Sequence, residues 1–266
     1  KIIYGTTEGR VYARDSLTGK LSYEVDIGSP VESIAVIYNG RLVFHLRSHQ
    51  IFCLDVETGK ILWAYKRSVP YMTTLQRVSR PVVYNNKIFV GFADGHFGAL
   101  SLETGVLLWE QKIAPGNKFV DVDTAALLYN NKLLIGPFNG PMRVVELETG
   151  KIIRSIDYFI SRAPQVVPEG LIIGTVFGEV VLLNRQLQTI KSVKLNKGSI
   201  SSIKKWKNGW AVSTVTGYVF FLDQENLAPK EQIFLGHQSS SVFGELYVSE
   251  DRLALLSSRG RLYLIR

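Results

Sequence analysis

Apolar and polar residues alternate along nearly the whole chain, in short runs that are interrupted by turn residues. Runs rich in Val, Ile, Leu, Tyr and Phe, separated by Gly and Asn, predict β-strands joined by tight turns. The apolar periodicity of an amphipathic helix is nearly absent. The pattern therefore predicts an all-β protein made of many short antiparallel strands.

The alternating runs recur in seven copies. A full copy contains an apolar run, a polar or Gly turn, an alternating run, a turn that ends in Thr-Gly, and a third apolar run. A further apolar stretch, such as residues 80–86, lies between copies, so each unit contains four predicted strands, A to D. Matching positions in successive copies are 38 to 46 residues apart. The copies span residues 1–27, 41–67, 87–113, 132–158, 171–195, 209–234 and 252–266.

Four antiparallel strands in a repeat of about 42 residues describe one blade of a β-propeller. We therefore predict a single seven-bladed β-propeller domain over residues 1–266. The chain starts at strand B of the first repeat and ends at strand C of the seventh, so both end blades are expected to be incomplete. Ring closure normally removes exposed strand edges, and we expect a segment supplying strands D and A to precede Lys1 in the gene product.

The turn between strands C and D carries the most specific motif. It reads Thr-Gly followed by Trp at residues 58–63 and 104–109, with Tyr23 and Arg154 in place of Trp in the first and fourth copies. Gly supplies the positive φ of the turn, and the neighbouring Asp, Glu and Thr side chains can bond its amides. The Trp is expected to lock one blade to the next. The pattern resembles the pyrroloquinoline-quinone-like (PQQ-like) repeat.

Composition narrows the class of protein without indicating a reaction. Hydrophobic residues make up 46% and charged residues 20%, as in ordinary globular domains, and no apolar run approaches the roughly 18 residues of a membrane-spanning helix. The lone Cys53 excludes an internal disulfide and is predicted to be a buried apolar residue. The net charge of +8 favours acidic partners.

Catalytic motifs are missing from the sequence. We find no Gly-x-Ser-x-Gly elbow, no phosphate-binding loop and no metal-binding histidine spacing. Some PQQ-repeat propellers are dehydrogenases whose cofactor needs a Ca²⁺ site, but we find no acidic cluster beyond Asp121 and Asp123. We predict that the protein is not an enzyme and holds no cofactor or metal. The alternative is a PQQ-like quinoprotein dehydrogenase using the central channel, which a bound quinone spectrum would reveal.

A lysine-rich stretch with interleaved Trp206 and Trp210 is interpreted as a solvated rim, and the alternative is contact with an acidic membrane surface. Lysine beside aromatic residues can also hold phosphates or stack bases, but we predict no nucleic-acid partner. The stretch contains Lys191, Lys194, Lys197, Lys204, Lys205 and Lys207.

The repeats are irregular at two consecutive connections from strand D to strand A, residues 68–80 and 114–123. All such connections cross the same face of a propeller, so two long ones in succession are expected to lie side by side. Long ordered loops in a compact repeat fold are often functional. The two connections contain Tyr71, Met72, Leu75, Arg77, Arg80, Phe119, Val120, Asp121 and Asp123.

Residues 57–136 resemble the BamB family, the propeller lipoproteins of the β-barrel assembly machinery (BAM complex) of the outer membrane. The family's propellers have eight blades, whereas this chain contains seven repeats. The resemblance is carried by the motifs ETG-x3-W at 57–63 and 103–109, VP-x4-LQRVSRP at 69–81, and DVDT with its following apolar strand at 121–128.

The resemblance implies a non-enzymatic scaffold that helps β-barrel proteins assemble into the outer membrane. It places Leu75, Arg77, Asp121 and Asp123 at positions that contact the periplasmic domains of the barrel-forming subunit BamA, with a one-residue gap at the connector. Tyr71 and Phe119 are predicted to join this contact. The resemblance also implies a monomer within a hetero-complex, anchored by lipid at the periplasmic face of the outer membrane. A cell-envelope propeller with a different protein partner is the remaining alternative.

Overall fold

The computed structural model describes residues 1–31, 33–69, 74–75, 78–160, 162–237 and 240–266. Within these residues there is no helix, and 26 strands form seven separate antiparallel sheets. Five sheets have four strands, while the first and the last have three. This architecture is that of a seven-bladed β-propeller, and it confirms the predicted fold class.

The residues form two compact units, Lys1–Asp157 and Tyr158–Arg266. The prediction of a single domain stays a prediction. In the first unit, strands pair with their neighbours in chain order to form sheets β1–β3, β4–β7, β8–β11 and β12–β15. These strands are β1 Ile2–Gly5, β2 Arg10–Arg14, β3 Leu21–Asp26, β4 Val36–Tyr38, β5 Arg41–His45, β6 Gln50–Asp55, β7 Ile61–Lys66, β8 Val82–Tyr84, β9 Lys87–Gly91, β10 His96–Ser101, β11 Leu107–Lys112, β12 Leu127–Tyr129, β13 Lys132–Ile135, β14 Met142–Glu146 and β15 Ile152–Ile156.

In the second unit the same order gives sheets β16–β19, β20–β23 and β24–β26. The strands are β16 Gln165–Val167, β17 Gly170–Gly174, β18 Glu179–Asn184, β19 Thr189–Lys194, β20 Ile200–Trp206, β21 Gly209–Thr214, β22 Tyr218–Asp223, β23 Pro229–Phe234, β24 Tyr247–Ser249, β25 Arg252–Leu256 and β26 Leu262–Ile265. The two middle strands of these four-stranded blades are largely buried, whereas the outermost strands, β19 and β23, are largely exposed to solvent.

The turn between the third and fourth strands of a blade is built as the sequence predicts. Asp55 accepts hydrogen bonds from the backbone N–H of Thr58 (2.8 Å) and from its hydroxyl (2.7 Å), and Asp15 makes the same two bonds in the first blade. The hydrogen bonds from Thr58 hold the pKa of Asp55 below its usual value. Gly59 has a φ of 75°, so the turn uses the left-handed conformation that glycine tolerates.

An aromatic residue of the outer strand then docks on the next blade. The Trp63 ring lies against Gly105, where an added Cβ would meet a ring carbon at 2.5 Å, and its Nε1–H donates to the Leu102 carbonyl at 3.0 Å. Trp109 repeats this arrangement on the following blade, with its Nε1–H donating to the Leu147 carbonyl at 3.2 Å. The turn glycine therefore has a second function, because it leaves room for the ring of the preceding blade.

Candidate functional site

Two long connectors join outer to inner strands in the Lys1–Asp157 unit. The first long connector, residues 67–81, runs from β7 to β8, and the second long connector, residues 113–126, runs from β11 to β12. The predicted site residues that the structure describes are Leu75, Phe119, Asp121 and Asp123. Tyr71 and Arg77, together with Met72, lie outside the described residues.

The first long connector starts from an ion-pair cluster at Arg67. Its guanidinium donates to Asp94 at 2.7 Å and to Glu110 at 2.5 Å, and it lies 4.8 Å above the centre of the Phe92 ring. Burial disfavours the charge, but the hydrogen bonds to Glu110 and Asp94 outweigh it and raise the pKa of Arg67. The start of the connector is therefore held against the next blade.

Ser79 holds the end of the first long connector that leads into β8. Its hydroxyl accepts the backbone N–H of Gly91 at 2.9 Å and donates to the carbonyl of Gly91 at 3.1 Å. Its own carbonyl accepts a hydrogen bond from Nδ1 of His45 at 3.0 Å. These contacts are all buried, so the segment between the two ends has fixed attachment points.

The second long connector packs directly on β9. Val122 is fully buried and donates its backbone N–H to the Phe92 carbonyl at 3.0 Å. A Cβ added at Gly91 would lie 2.2 Å from the Val122 carbonyl oxygen, so a side chain at this position would push the connector outward. Val120 is buried as well.

Asp121 joins the two connectors to each other. Its carboxylate accepts the backbone N–H of Leu75 through both oxygens, at 3.1 and 3.0 Å, and the side chain is fully buried. Its carbonyl accepts the backbone N–H of Phe138, in the turn between β13 and β14, at 2.8 Å. The structure therefore places Asp121 beneath the surface, where it sets the positions of neighbouring residues.

Apolar side chains are exposed around this junction. Phe119 is 48% exposed and has a φ of 53°, a left-handed conformation that is strained for a bulky residue. Phe138, whose backbone N–H donates to the Asp121 carbonyl, is 41% exposed. Leu75 and Asp123 are partly exposed. Sequence reasoning missed Phe138, although an aromatic residue between Pro137 and Asn139 in a turn was a usable signal.

The Tyr158–Arg266 unit has a long connector of its own, residues 235–246 between β23 and β24. Phe243 on this connector is 59% exposed, and its carbonyl accepts a hydrogen bond from Arg162. The same arginine donates from Nε to the Ser201 carbonyl at 3.1 Å. Repeat spacing did not single out this connector, because the matching positions Ser213 and Leu256 are 43 residues apart, close to the average spacing of about 42 residues.

Two histidines lie buried near the connectors. His45 is fully buried, and its ring lies 5.8 Å from that of Phe92 and 6.4 Å from that of His49. Burial lowers the pKa of His45 to about 4 and also lowers the pKa of His49. Among the residues the structure describes, no group of three or more His, Cys, Asp and Glu side chains is placed to hold a metal ion.

Cys53 is fully buried in the same blade, as predicted. Burial raises the pKa of its thiol to about 11, so the thiolate that would react or bind metal is scarce near neutral pH.

The lysine-rich stretch is spread over several environments. Lys191 donates to the Glu225 carbonyl at 2.6 Å, and Lys204 pairs with Glu245 at 2.8 Å. Lys207 lies 4.4 Å above the ring of Trp206, and Lys197 lies 5.0 Å above that of Tyr218. These lysines do not converge on one site, which agrees with the interpretation as a solvated rim.

The blades, the Thr-Gly turns and the docked aromatic rings define the class of protein as a β-propeller of PQQ-like repeats. The family model of outer membrane protein assembly factor BamB matches residues 1–192. The chain therefore belongs to the BamB family. No curated protein sequence matches the chain. Within the described residues, no helix has the length and apolar character needed to cross a membrane.

Solved structures share the fold at low sequence identity. BamB from Moraxella catarrhalis is 21% identical, with a TM-score of 0.79 over 98% of this chain and 80% of that one. Sqt1 from Saccharomyces cerevisiae is 14% identical, with a TM-score of 0.78 over 99% and 78% of the two chains. The computationally designed Ika8 protein is 16% identical, with a TM-score of 0.67 over 98% and 92%. These likenesses define the fold.

Proposed function

We propose that the protein is a non-enzymatic scaffold of the β-barrel assembly machinery that binds the periplasmic domains of a BamA-like subunit. The observation that carries this proposal is the hydrogen bond between the buried carboxylate of Asp121 and the Leu75 N–H, which joins the two long connectors. Membership of the BamB family supports the choice of partner. In this role the protein would assist assembly and insertion of β-barrel outer membrane proteins.

The binding surface proposed here has an apolar centre and charged flanks. Phe119 and Phe138 supply exposed rings, and Leu75 on the first long connector is partly exposed. Interfaces commonly derive most of their binding free energy from a few such apolar and aromatic residues, while surrounding charges orient the partner. Asp123 and Arg77 are the proposed charged contacts. Tyr71, next to the connector's centre in sequence, is proposed as a further contact.

Asp121 has a different proposed role from the other residues. Because its carboxylate is buried and bonded to Leu75, it is a positioning residue that presents the first long connector to the partner. A buried carboxylate that accepts a backbone N–H fixes geometry without itself touching the partner.

Localisation follows the family. We propose that the protein works as a monomer within a hetero-complex at the periplasmic face of the outer membrane, held there by a lipid anchor. The lysine-rich rim is a proposed secondary contact with acidic lipid headgroups, since basic side chains near an anionic surface each add attraction.

Calorimetric titration with the purified periplasmic domains of the barrel-forming subunit tests the proposal. Replacing Leu75 and Arg77 together with Ala is expected to weaken binding by about 2 kcal/mol, which is a typical loss at an interface hot spot. Asp123→Ala should weaken it to a smaller extent.

The matched control is the pair Leu17→Ala and Lys20→Ala, which also removes one apolar and one cationic side chain. Leu17 is 94% exposed in the turn between β2 and β3. Turns of this kind lie at the end of a blade opposite to the end from which the long connectors leave β7 and β11. This variant should bind as the wild type does. Wild-type binding by the Leu75 and Arg77 variant would show that the surface is wrongly chosen.

A further inference from the structure

Two buried histidines are attached to the two ends of the first long connector. The backbone carbonyl of His49 accepts the N–H of Arg67, where the connector begins, at 3.2 Å. Nδ1 of His45 donates to the carbonyl of Ser79, near the other end, at 3.0 Å. The two rings lie 6.4 Å apart, and His45 is fully buried while His49 is 6% exposed. Because histidine ordinarily changes charge in mild acid, either ring can couple this connector to pH.

Several polar atoms of these histidines and of the connector lack hydrogen bonds. Within the described residues, both ring nitrogens of His49, Nε2 of His45 and Oγ1 of Thr74 are buried and have no hydrogen-bond partner. Nearly all buried polar atoms in native proteins have a partner, because an unpaired one costs free energy. The ring of His49 therefore gives up no hydrogen bond if it turns towards a new partner.

Charged groups from three elements face the His49 ring. Burial lowers the pKa of His49, Asp121 on the second long connector and Asp94 in the β9–β10 turn act in the opposite direction, and Arg67 adds to the lowering. Asp94 already pairs with Arg67 at 2.7 Å. His45 differs, since burial lowers its pKa to about 4 and the titratable group that faces it is His49. A proton is therefore better accommodated on His49, with Asp121 as its carboxylate partner.

A protonated His49 would compete with Leu75 for the carboxylate of Asp121. That carboxylate accepts the backbone N–H of Leu75 at 3.1 and 3.0 Å. A hydrogen bond from an imidazolium adds the attraction between two opposite charges, which a neutral backbone N–H does not supply. Asp121 thus has two alternative donors, one on the first long connector and one that exists only after a proton has bound.

We propose that His49 is a positioning residue: once protonated, it takes the Asp121 carboxylate from Leu75 and releases the first long connector in mild acid. This role rests on the proposed function, because release of Leu75 affects docking only if the partner contacts this connector. Acid favours the released form, since a ring paired with a carboxylate binds a proton more readily than an unpaired buried ring. If pairing restores an ordinary pKa of about 6.5, release becomes about tenfold more favourable between pH 7.5 and 5.5.

Native-state hydrogen exchange of the full chain, labelled with ¹⁵N, tests the switch without any partner. After correction for the intrinsic effect of pH on exchange, the Leu75 amide should lose about tenfold of its protection between pH 7.5 and 5.5. Urea unfolding at both pH values gives the stability of the whole chain, and Leu75 should exchange faster than global unfolding allows. Protection that does not change with pH, or exchange of Leu75 only through global unfolding, overturns the proposal.

His49→Asn is the decisive variant. His49 has a φ of 58°, which Asn tolerates, and the amide does not titrate. The variant should keep the protection of Leu75 at pH 5.5 within about twofold of its value at pH 7.5. His237→Asn removes an exposed imidazole and is the matched control, which should show the tenfold loss of the wild type. A loss that persists in His49→Asn would assign the effect to His45 and overturn the proposal.

Calorimetric titration with the periplasmic domains of the barrel-forming subunit, at pH 7.5 and 5.5, tests the effect on docking. Wild-type binding should weaken in acid at least threefold more than binding of His49→Asn, because titration of the partner affects both proteins alike. Equal weakening of the two proteins overturns regulation by His49. Absence of wild-type binding at pH 7.5 would instead contradict the proposed function, and the exchange of Leu75 would still decide whether the switch exists.

Discussion

The carboxylate of Asp121 accepts the backbone N–H of Leu75 through both of its oxygens, at 3.1 and 3.0 Å. The two residues lie on different connectors, so one buried side chain determines how these connectors meet. A carboxylate that accepts a backbone N–H makes a stronger hydrogen bond than a neutral oxygen acceptor does. The position of Leu75 therefore depends on Asp121, whose own side chain is buried.

Replacing Asp121 with Ala should destabilise the protein by about 1–3 kcal/mol, because the Leu75 N–H loses its acceptor in a part-buried position. Denaturant unfolding measures this change. Native-state hydrogen exchange of the Leu75 amide should accelerate as well, because the protecting bond is lost. Asp121→Asn keeps one acceptor oxygen and should cost less. Equal exchange at Leu75 in wild type and Asp121→Ala would contradict the assigned role.

Trp63→Ala and Trp109→Ala should each lower the free energy of unfolding by about 3 kcal/mol, since a packed ring and its hydrogen bond to the next blade are both lost. Trp63→Phe retains most of the packing and should cost about 1 kcal/mol. Partner binding of folded variants should stay near that of the wild type. Unchanged thermal unfolding in both Ala variants would show that the rings do not join the blades.

Gly105→Ala and Gly19→Ala separate the two reasons for glycine in the turn. Both residues have a φ near 70°, but an added Cβ at Gly105 meets the Trp63 ring at 2.5 Å, whereas Gly19 has no neighbour within 4 Å. Gly19→Ala should cost about 1 kcal/mol from backbone conformation alone. Gly105→Ala should cost at least about 1 kcal/mol more, because the ring must shift. Equal costs in urea unfolding would exclude steric docking as a cause.

His45 should make stability fall in mild acid. Burial lowers its folded pKa to about 4 from an unfolded value of 6.5, so the unfolded state binds the proton more readily between these values. Stability from this group is complete above about pH 6.5 and is lost as pH falls towards 4, by about 3 kcal/mol in total. His45→Asn keeps a donor for the Ser79 carbonyl but does not titrate. A stability difference between the variant and wild type that stays constant from pH 7 to pH 4.5 would contradict this assignment.

Much of the fold was predictable because the repeat chemistry is local. Asp55, Thr58 and Gly59 form their turn through bonds among residues that are close in sequence, so the turn motif predicted the blade boundaries. Alternation of buried and exposed residues predicted the strands. The positions of the two long connectors followed from spacing alone.

The site was less predictable, because its residues interact across long stretches of sequence. Repeat spacing and the family resemblance predicted Asp121 to be a contact residue. In the structure its side chain is buried, and its carboxylate accepts the N–H of Leu75 from the other connector. Phe138 enters the surface through a backbone bond to Asp121, which no local pattern encodes. Tyr71 and Arg77 stay predictions, as they lie outside the described residues.

By itself, the sequence determined the blade count, the turn chemistry and the family, since these depend on contacts within a repeat that recur at a regular period. Tertiary structure alone decided which side chains are buried at the connectors, where Asp121 is fully buried and Phe119 is exposed. The physical reason is packing between neighbouring blades. Whether a side chain is buried depends on neighbours that only the folded chain brings together.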